Sequence, residues 1–222
     1  RKSSFITVME RCEVLHPLLG DNLELLGECI GKLSIKFHVP QIEVAIAELD
    51  TILILRHLQP LTSEDEVILQ DYGEKLKITW YTQSGGLETV KPLNEAVSLN
   101  YSLPDHDLIM TFLPTDFTQV NFELNQKMIN LALELLDLNK EDEVIDLFCG
   151  LGNFTLPISR YVKSVVGIEG DSGLVERAKQ NANQNGISNT SFYKADLFED
   201  VSGFEWFRGR NYNKALIDPA RT

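Results

Sequence analysis

At 222 residues, with 43% hydrophobic and 24% charged side chains, the chain has an ordinary globular composition and length enough for one large domain or two smaller ones. A formal net charge of −13 counts against a protein that grips a phosphate backbone unaided, because such proteins present a basic face. No apolar run approaches the length of a membrane-spanning helix, so no membrane partner is expected.

The first residues, RKSSFITVMERCEVL, have neither a continuous apolar core nor a small-residue cleavage site, so no secretory signal is expected. The chain opens on Arg1, not on Met, which suggests a trimmed or excised segment. From His16 to Leu33, residues Leu19, Leu23, Leu26, Ile30 and Leu33 recur at helical spacing. Ile42 to Leu58 reads as two strands with Asp50 near their turn; Ser63 to Leu76 reads as a helix, Lys77 to Gln83 as a strand, and Ser84-Gly85-Gly86 as a turn. These elements predict a small α+β domain over residues 1–110.

The character changes around Leu108 to Asn121. Asn121 to Leu138 predicts an amphipathic helix with Asn121 as its N-cap and Leu124, Met128, Leu131, Leu135 and Leu136 on one face. Strands are expected at 144–149, 164–169, 190–196 and 214–218. They alternate with a helix from about 153 and another over 172–185 closed by Gly186. That alternation predicts a parallel, doubly wound α/β sheet over residues 111–222.

The stretch DLFCGLGNFTL, Asp146 to Leu156, is a glycine turn after an apolar strand. A dinucleotide fingerprint would place a third glycine where Thr155 stands, and a P-loop would need Gly-Lys-Ser/Thr. Acids instead mark the ends of the four strands: Asp146, Glu169, Asp196 and Asp218. Any one of them alone reads as a turn or cap residue. All four beside one G-x-G turn, at the edge where open α/β sheets bind ligands, repel a pyrophosphate and attract a sulfonium and an amino group. S-adenosylmethionine is the natural candidate and a dinucleotide the weaker one, with Glu169 suited to the two ribose hydroxyls.

DLFCGLGNFTLP, VVGIEG and LIDPAR, with DFTQVN and NQKM before them, resemble the RNA uracil-5-methyltransferases, and within them the branch acting on bacterial 23S ribosomal RNA. The resemblance implies a Rossmann-like class I S-adenosylmethionine-dependent methyltransferase domain, incomplete at its C-terminus, after a small α+β domain. It also implies cofactor-binding roles for Gln119, Phe148, Asn153, Glu169, Asp196 and Asp218, with Gln119 and Asp218 near the target base. In the family a cysteine thiolate adds to C6 of the uracil, C5 takes the methyl group, and a glutamate removes the C5 proton. That cysteine and glutamate are expected beyond Thr222, which leaves no catalytic residue on this chain and makes it read as the middle of a larger enzyme, inactive by itself.

Cys149, inside the cofactor turn, is not expected to be the nucleophile. Cys12 matches the fourth ligand of the family's [4Fe-4S] cluster, whose three other ligands are missing, so no cluster is expected here, and Cys29 reads as packing. Three widely spaced cysteines argue against disulfides and for a reducing, cytoplasmic setting. Other readings open at this point are a tRNA-methylating relative, another class I methyltransferase, or a non-catalytic S-adenosylmethionine- or RNA-binding module. The last expected strand, Ala215-Leu216-Ile217, would lie at an open sheet edge and favour self-association.

Overall fold

The structure, a computed structural model, describes residues 9–219. It divides into two compact units, one up to Val97 and one from Ser98. The first holds two helices, α1 (Pro17–Gly20) and α2 (Leu23–Lys32), where a single helical run was expected, because the chain turns at Asp21 and restarts from Asn22. Strands β1 (Gln41–Ile46) and β2 (Thr51–Arg56) pair antiparallel through the turn that contains Asp50. Helix α3 (Ser63–Leu76) then crosses over to β3 (Thr79–Gln83), which runs parallel to β2, and β4 (Lys91–Pro92) closes the sheet in the order β1-β2-β3-β4.

The start of α3 is fixed by a capping box, with Thr62 and Asp65 each accepting from the other's backbone amide. Buried Asp65 also accepts from the amide and hydroxyl of Ser34 at 2.6 and 2.7 Å. Burial alone would raise the Asp65 carboxyl; the hydrogen bonds from Thr62 and Ser34 outweigh it and hold the group below the usual range. Leu53 and Leu55 of β2 and Trp80 of β3 pack with Leu69, Tyr72 and Leu76 of α3 and with Cys29 of α2 as this unit's core.

The second unit opens with a hairpin, β5 (Leu99–Leu103) and β6 (Leu108–Phe112), followed by α4 (Phe122–Leu136). The boundary expected near residue 110 thus falls inside a hairpin that belongs to the later unit. Strand β7 (Glu143–Leu147), helix α5 (Thr155–Ser159), strand β8 (Ser164–Glu169), helix α6 (Ser172–Gln184), and strands β9 (Thr190–Lys194) and β10 (Lys214–Ile217) complete the unit. Their sheet is wholly parallel in the order β10-β7-β8-β9. Both faces of its centre are covered: Val144 and Val165 pack with Ile158 on one side, and Ile145, Val166 and Ile168 pack with Trp206 on the other.

The hairpin joins this unit through two asparagines four residues apart, Asn181 on α6 and Asn185 at its C-cap. Asn181 accepts from the Thr111 amide at 2.9 Å and donates to the Thr111 and Leu151 carbonyls, while Asn185 exchanges the same pair of bonds with Ile109 at 2.8 Å. A helix surface therefore occupies the free edge of β6. At the hairpin's tip, the Arg160 guanidinium donates to the His106 and Asp107 carbonyls.

Helix α4 shows the expected Asn121 cap, whose side chain accepts from the Leu124 amide at 2.9 Å. Its buried face is not the predicted one: Asn125 and Ile129 are buried and Leu133 and Leu136 pack inward, while Leu124, Leu131 and Leu135 are exposed. The polar Asn125 faces inward because it has a partner there, a possibility that a hydrophobic-periodicity argument cannot see.

Asn181 is fully buried and satisfies three backbone groups, so Asn181→Ala is expected to destabilise the chain by about 3 kcal/mol. Asn185→Ala, at the wetter end of the edge, should cost under about 1 kcal/mol; denaturant unfolding of both variants checks the contrast.

Candidate functional site

After β7 the backbone reverses through three left-handed residues, Phe148 (φ 66°), Gly150 (φ 55°) and Gly152 (φ 95°). Two are glycines, which take this conformation freely; Phe148 takes it at a cost of roughly 1–2 kcal/mol. The turn is held by the Cys149 amide donating to the Ile168 carbonyl at 3.0 Å and the Gly152 amide donating to the Cys149 carbonyl at 2.9 Å. Beside Gly150 no heavy atom stands within 4 Å of where a Cβ would be, so the turn offers open space to a ligand. Below it, a Cβ on Gly167 of β8 would meet the Phe192 ring at 2.7 Å and the Cys149 sulfur at 2.9 Å, so the turn can sit down on β8 only over a bare backbone.

The four acids stand where the strands end. Asp146 is buried near the end of β7, where Thr155 donates its hydroxyl to Oδ2 at 2.5 Å and Oδ1 has no hydrogen-bond partner. The residue in place of the third glycine is therefore a hydrogen-bond donor to this carboxyl. Glu169 ends β8 and accepts from two amides, Gly150 on Oε2 and Asp171 on Oε1, both at 3.0 Å. Each oxygen retains a lone pair, and the carboxylate ties the first strand's turn to the second strand's end. Asp196, just past β9, accepts from the Phe198 amide at 3.0 Å and is exposed, as is Asp218 just past β10. The exposed Phe198 ring stands 5.8 Å from that of Phe148.

Burial pushes the Asp146 carboxyl up to about 7, against the Thr155 hydrogen bond, and the negative charges of Asp218 and Glu169 push the same way. Burial, then Asp146 and Glu169, raise the Cys149 thiol well above its ordinary value. An open groove of about 440 Å³ along α6 and β9, lined by Lys179, Asn183 and Tyr193 among others, contains none of the four acids.

The profile of the family described as tRNA (Uracil-5-)-methyltransferase matches residues 47–203. The chain belongs to this family. Over its whole length it is 64% identical to the 23S rRNA (uracil(1939)-C(5))-methyltransferase RlmD of Vesicomyosocius okutanii, covering 51% of that protein. It is 44% identical to the RlmD of Francisella tularensis subsp. novicida, again over all of this chain and 50% of the relative. The chain thus spans about half the length of the curated relatives it matches. Among solved structures, the Pyrococcus abyssi tRNA (uracil-54, C5)-methyltransferase in complex with S-adenosyl-L-homocysteine shares the fold. Its TM-score is 0.70 at 14% identity, over 99% of this chain and 55% of that one. This establishes the α/β methyltransferase fold with its parallel sheet.

Of the residues expected from the uracil-5-methyltransferase family, Phe148, Asn153, Glu169, Asp196 and Asp218 all lie in the turn or at the strand ends. Asn153 is already engaged: its amide pairs reciprocally with that of Asn125 at 2.9 and 3.0 Å, and the Tyr101 hydroxyl donates to its Oδ1 at 2.8 Å. One amide hydrogen of Asn153 remains for a ligand. Gln119 lies, half-buried, in the irregular segment between β6 and α4. That segment is braced at Asp116, which accepts from the Leu113 amide at 2.7 Å and pairs with Arg177 of α6 in a mostly buried ion pair. Of the other residues that shape the site, Thr155 is visible in the sequence as the replacement for a glycine, Asn125 and Gly167 only as members of the motifs NQKM and VVGIEG, and Tyr101 not at all.

The Cys12 amide donates to the Gly20 carbonyl in the first unit, and the residue is partly exposed. Among the described residues no group of three or more His, Cys, Asp or Glu side chains is arranged to hold a metal ion. Cys29 is fully buried, and burial pushes its thiol up to about 11 despite nearby Lys32.

Access favours Cys12, while burial and the raised thiols of Cys29 and Cys149 disfavour attack there. Alkylation of the native chain with iodoacetamide at mildly alkaline pH is expected to modify Cys12 and leave Cys29 and Cys149 intact until denaturant is added; mass spectrometry of the peptides reads the order.

Proposed function

We propose that the chain carries the S-adenosylmethionine-binding part of an enzyme that methylates C5 of a uridine in 23S ribosomal RNA, together with much of its central α+β domain. The observation that carries this reading is the 64% identity, over the whole chain, to a protein named for that activity. The same comparison favours ribosomal RNA over the tRNA-methylating reading. No helix among the described residues is long and apolar enough to cross a membrane, and a cytoplasmic setting follows from the proposed ribosomal substrate.

The residues fit the cofactor. Gly150 leaves room for it, Glu169 has free lone pairs for two ribose hydroxyls, and a buried carboxyl oxygen on Asp146 lacks a donor. When bound, S-adenosylmethionine supplies a methyl group made electrophilic by the sulfonium. In this reading Glu169 holds the ribose, Asp196 lies toward the adenine, and Phe148 and Phe198 give it an apolar wall. Asn153, Gln119 and Asp218 take the methionine end, with Gln119 and Asp218 also toward the uracil.

The chain's own part is binding and orientation. Cys149 is a poor nucleophile where it stands, buried and facing two carboxylates that disfavour its thiolate. The nucleophilic cysteine and the basic glutamate of the family are proposed to lie beyond Thr222, and Cys12 to be the fourth ligand of an iron–sulfur cluster completed by residues outside this chain.

Calorimetry with S-adenosylhomocysteine tests the cofactor reading. The chain is expected to bind it, and Glu169→Gln to weaken binding about tenfold or more, equivalent to about 1.4 kcal/mol. A folded chain with no measurable binding, or an unchanged affinity in the variant, would overturn it.

We also propose that the chain self-associates through β10, an edge strand of its sheet among the described residues, where Ile217 is 62% exposed. Light scattering is expected to show a concentration-dependent dimer; a monomer at all concentrations contradicts the proposal.

A further inference from the structure

Three carboxyl groups face one another beneath and beside the glycine turn, and they are not equivalent. Asp218 is exposed. Glu169 is half-buried, with a backbone amide on each oxygen. Asp146 is 1% exposed, with the Thr155 hydroxyl on one oxygen and no donor on the other. A buried carboxylate with an unpartnered oxygen is far more costly than a buried neutral carboxyl in the same place. The charges and titratable groups that face Asp146 are Glu169 at the end of β8, Asp218 after β10 and the Cys149 thiol in the turn, all acidic. Among the described residues, no basic side chain forms an ion pair with Asp146, Glu169 or Asp218.

We propose that Asp146 is a proton-exchanging counter-charge for the cofactor: a neutral carboxyl in the free chain, it gives its proton to solvent when a cationic ligand enters the site. The step is balanced: the O–H bond of the carboxyl breaks, the proton goes to water or buffer, and the carboxylate left behind faces the incoming ammonium and sulfonium charges. The proposal rests on the S-adenosylmethionine reading of the site and adds to it a residue and a pH dependence.

The sign follows from linkage. A cation stabilises the ionised form, so the bound-state value lies below the free-state value of about 7. Between the two, binding releases a proton and affinity rises with pH. Above the free-state value Asp146 is ionised in both states, and the release and the pH dependence disappear. Asp146 is therefore a positioning and charge-matching residue, not a catalytic one.

The test is calorimetric titration of the chain with S-adenosylmethionine, in buffers of different ionisation enthalpy, at a pH just below that of half-ionisation. The ligand's own amine contributes a protonation term, so the wild-type chain is compared with Asp146→Asn. The wild type is expected to release more protons per ligand than the variant, about half a proton at that pH and approaching one about a pH unit lower, and this difference should vanish above pH about 8. Carbon-13 NMR of the Asp146 carboxyl in the wild-type chain gives the same answer without a variant: the resonance should move from the neutral to the ionised position on ligand addition below neutral pH.

Equal proton release by both chains, or an Asp146 carboxyl already ionised without ligand at that pH, overturns the proposal and leaves the cofactor reading standing. Absence of any binding heat overturns both.

Discussion

Everything in the candidate site depends on how β7 ends. The strand must stop inside the protein and reverse over its neighbour, and it does so through a turn with three left-handed residues seated on the bare backbone of Gly167. A buried Asp146 lies beneath that turn, and the Thr155 hydroxyl at the head of α5 answers one of its oxygens. The pair joins the end of β7 to the first residue of α5 across the reversal. A glycine at Thr155 would allow a closer approach of helix and sheet but would remove the hydroxyl donor from the carboxyl. The replacement that first distinguished this turn from a dinucleotide fingerprint is thus part of how the turn is held.

Around this point side-chain amides tie the second unit together alongside its apolar packing. Asn153 in the turn, Asn125 on α4 and Tyr101 on β5 form one network, and Asn181 on α6 bonds both the turn and β6. Glu169 closes a further link from β8 to Gly150. A hairpin and two helices thereby bear on the positions of a few backbone amides at the carboxyl edge of the sheet, and a ligand placed there meets a surface whose polar groups already have fixed directions. Among the described residues, Asp146 Oδ1 is the buried carboxyl oxygen left without a hydrogen-bond partner.

Much of this was legible in the sequence. Strand periodicity, the capping residue Asn121 and the run of strand-end acids place the strands and helices of the parallel sheet, and the motif residues around Asp146 lead to the family. The failures share a cause. The boundary was placed near residue 110 because β5 and β6 are short and their partner is a helix surface far along the chain, which no local pattern reveals. The inward face of α4 was misassigned because Asn125 is polar and Leu124, Leu131 and Leu135 are apolar, while burial there follows hydrogen-bond partnership. The engagement of Asn153 by Tyr101 and Asn125 is likewise not visible in the sequence, because both partners are distant from it along the chain.

The asparagine clamp on β6 has one more consequence. Residues four apart on a helix rise by about 6 Å, and alternate residues of a strand are spaced by about 6.6–6.8 Å. The two repeats are close enough that carboxamides on successive turns of α6 meet successive outward peptide groups of β6, at Ile109 and Thr111. The helix serves as a surrogate strand whose rungs are side chains, and it is blind to peptide groups that point the other way. A slip of the hairpin by one residue would set inward-pointing groups against both carboxamides at once, so α6 acts as a ratchet that fixes the register of a hairpin that has no third strand among the described residues.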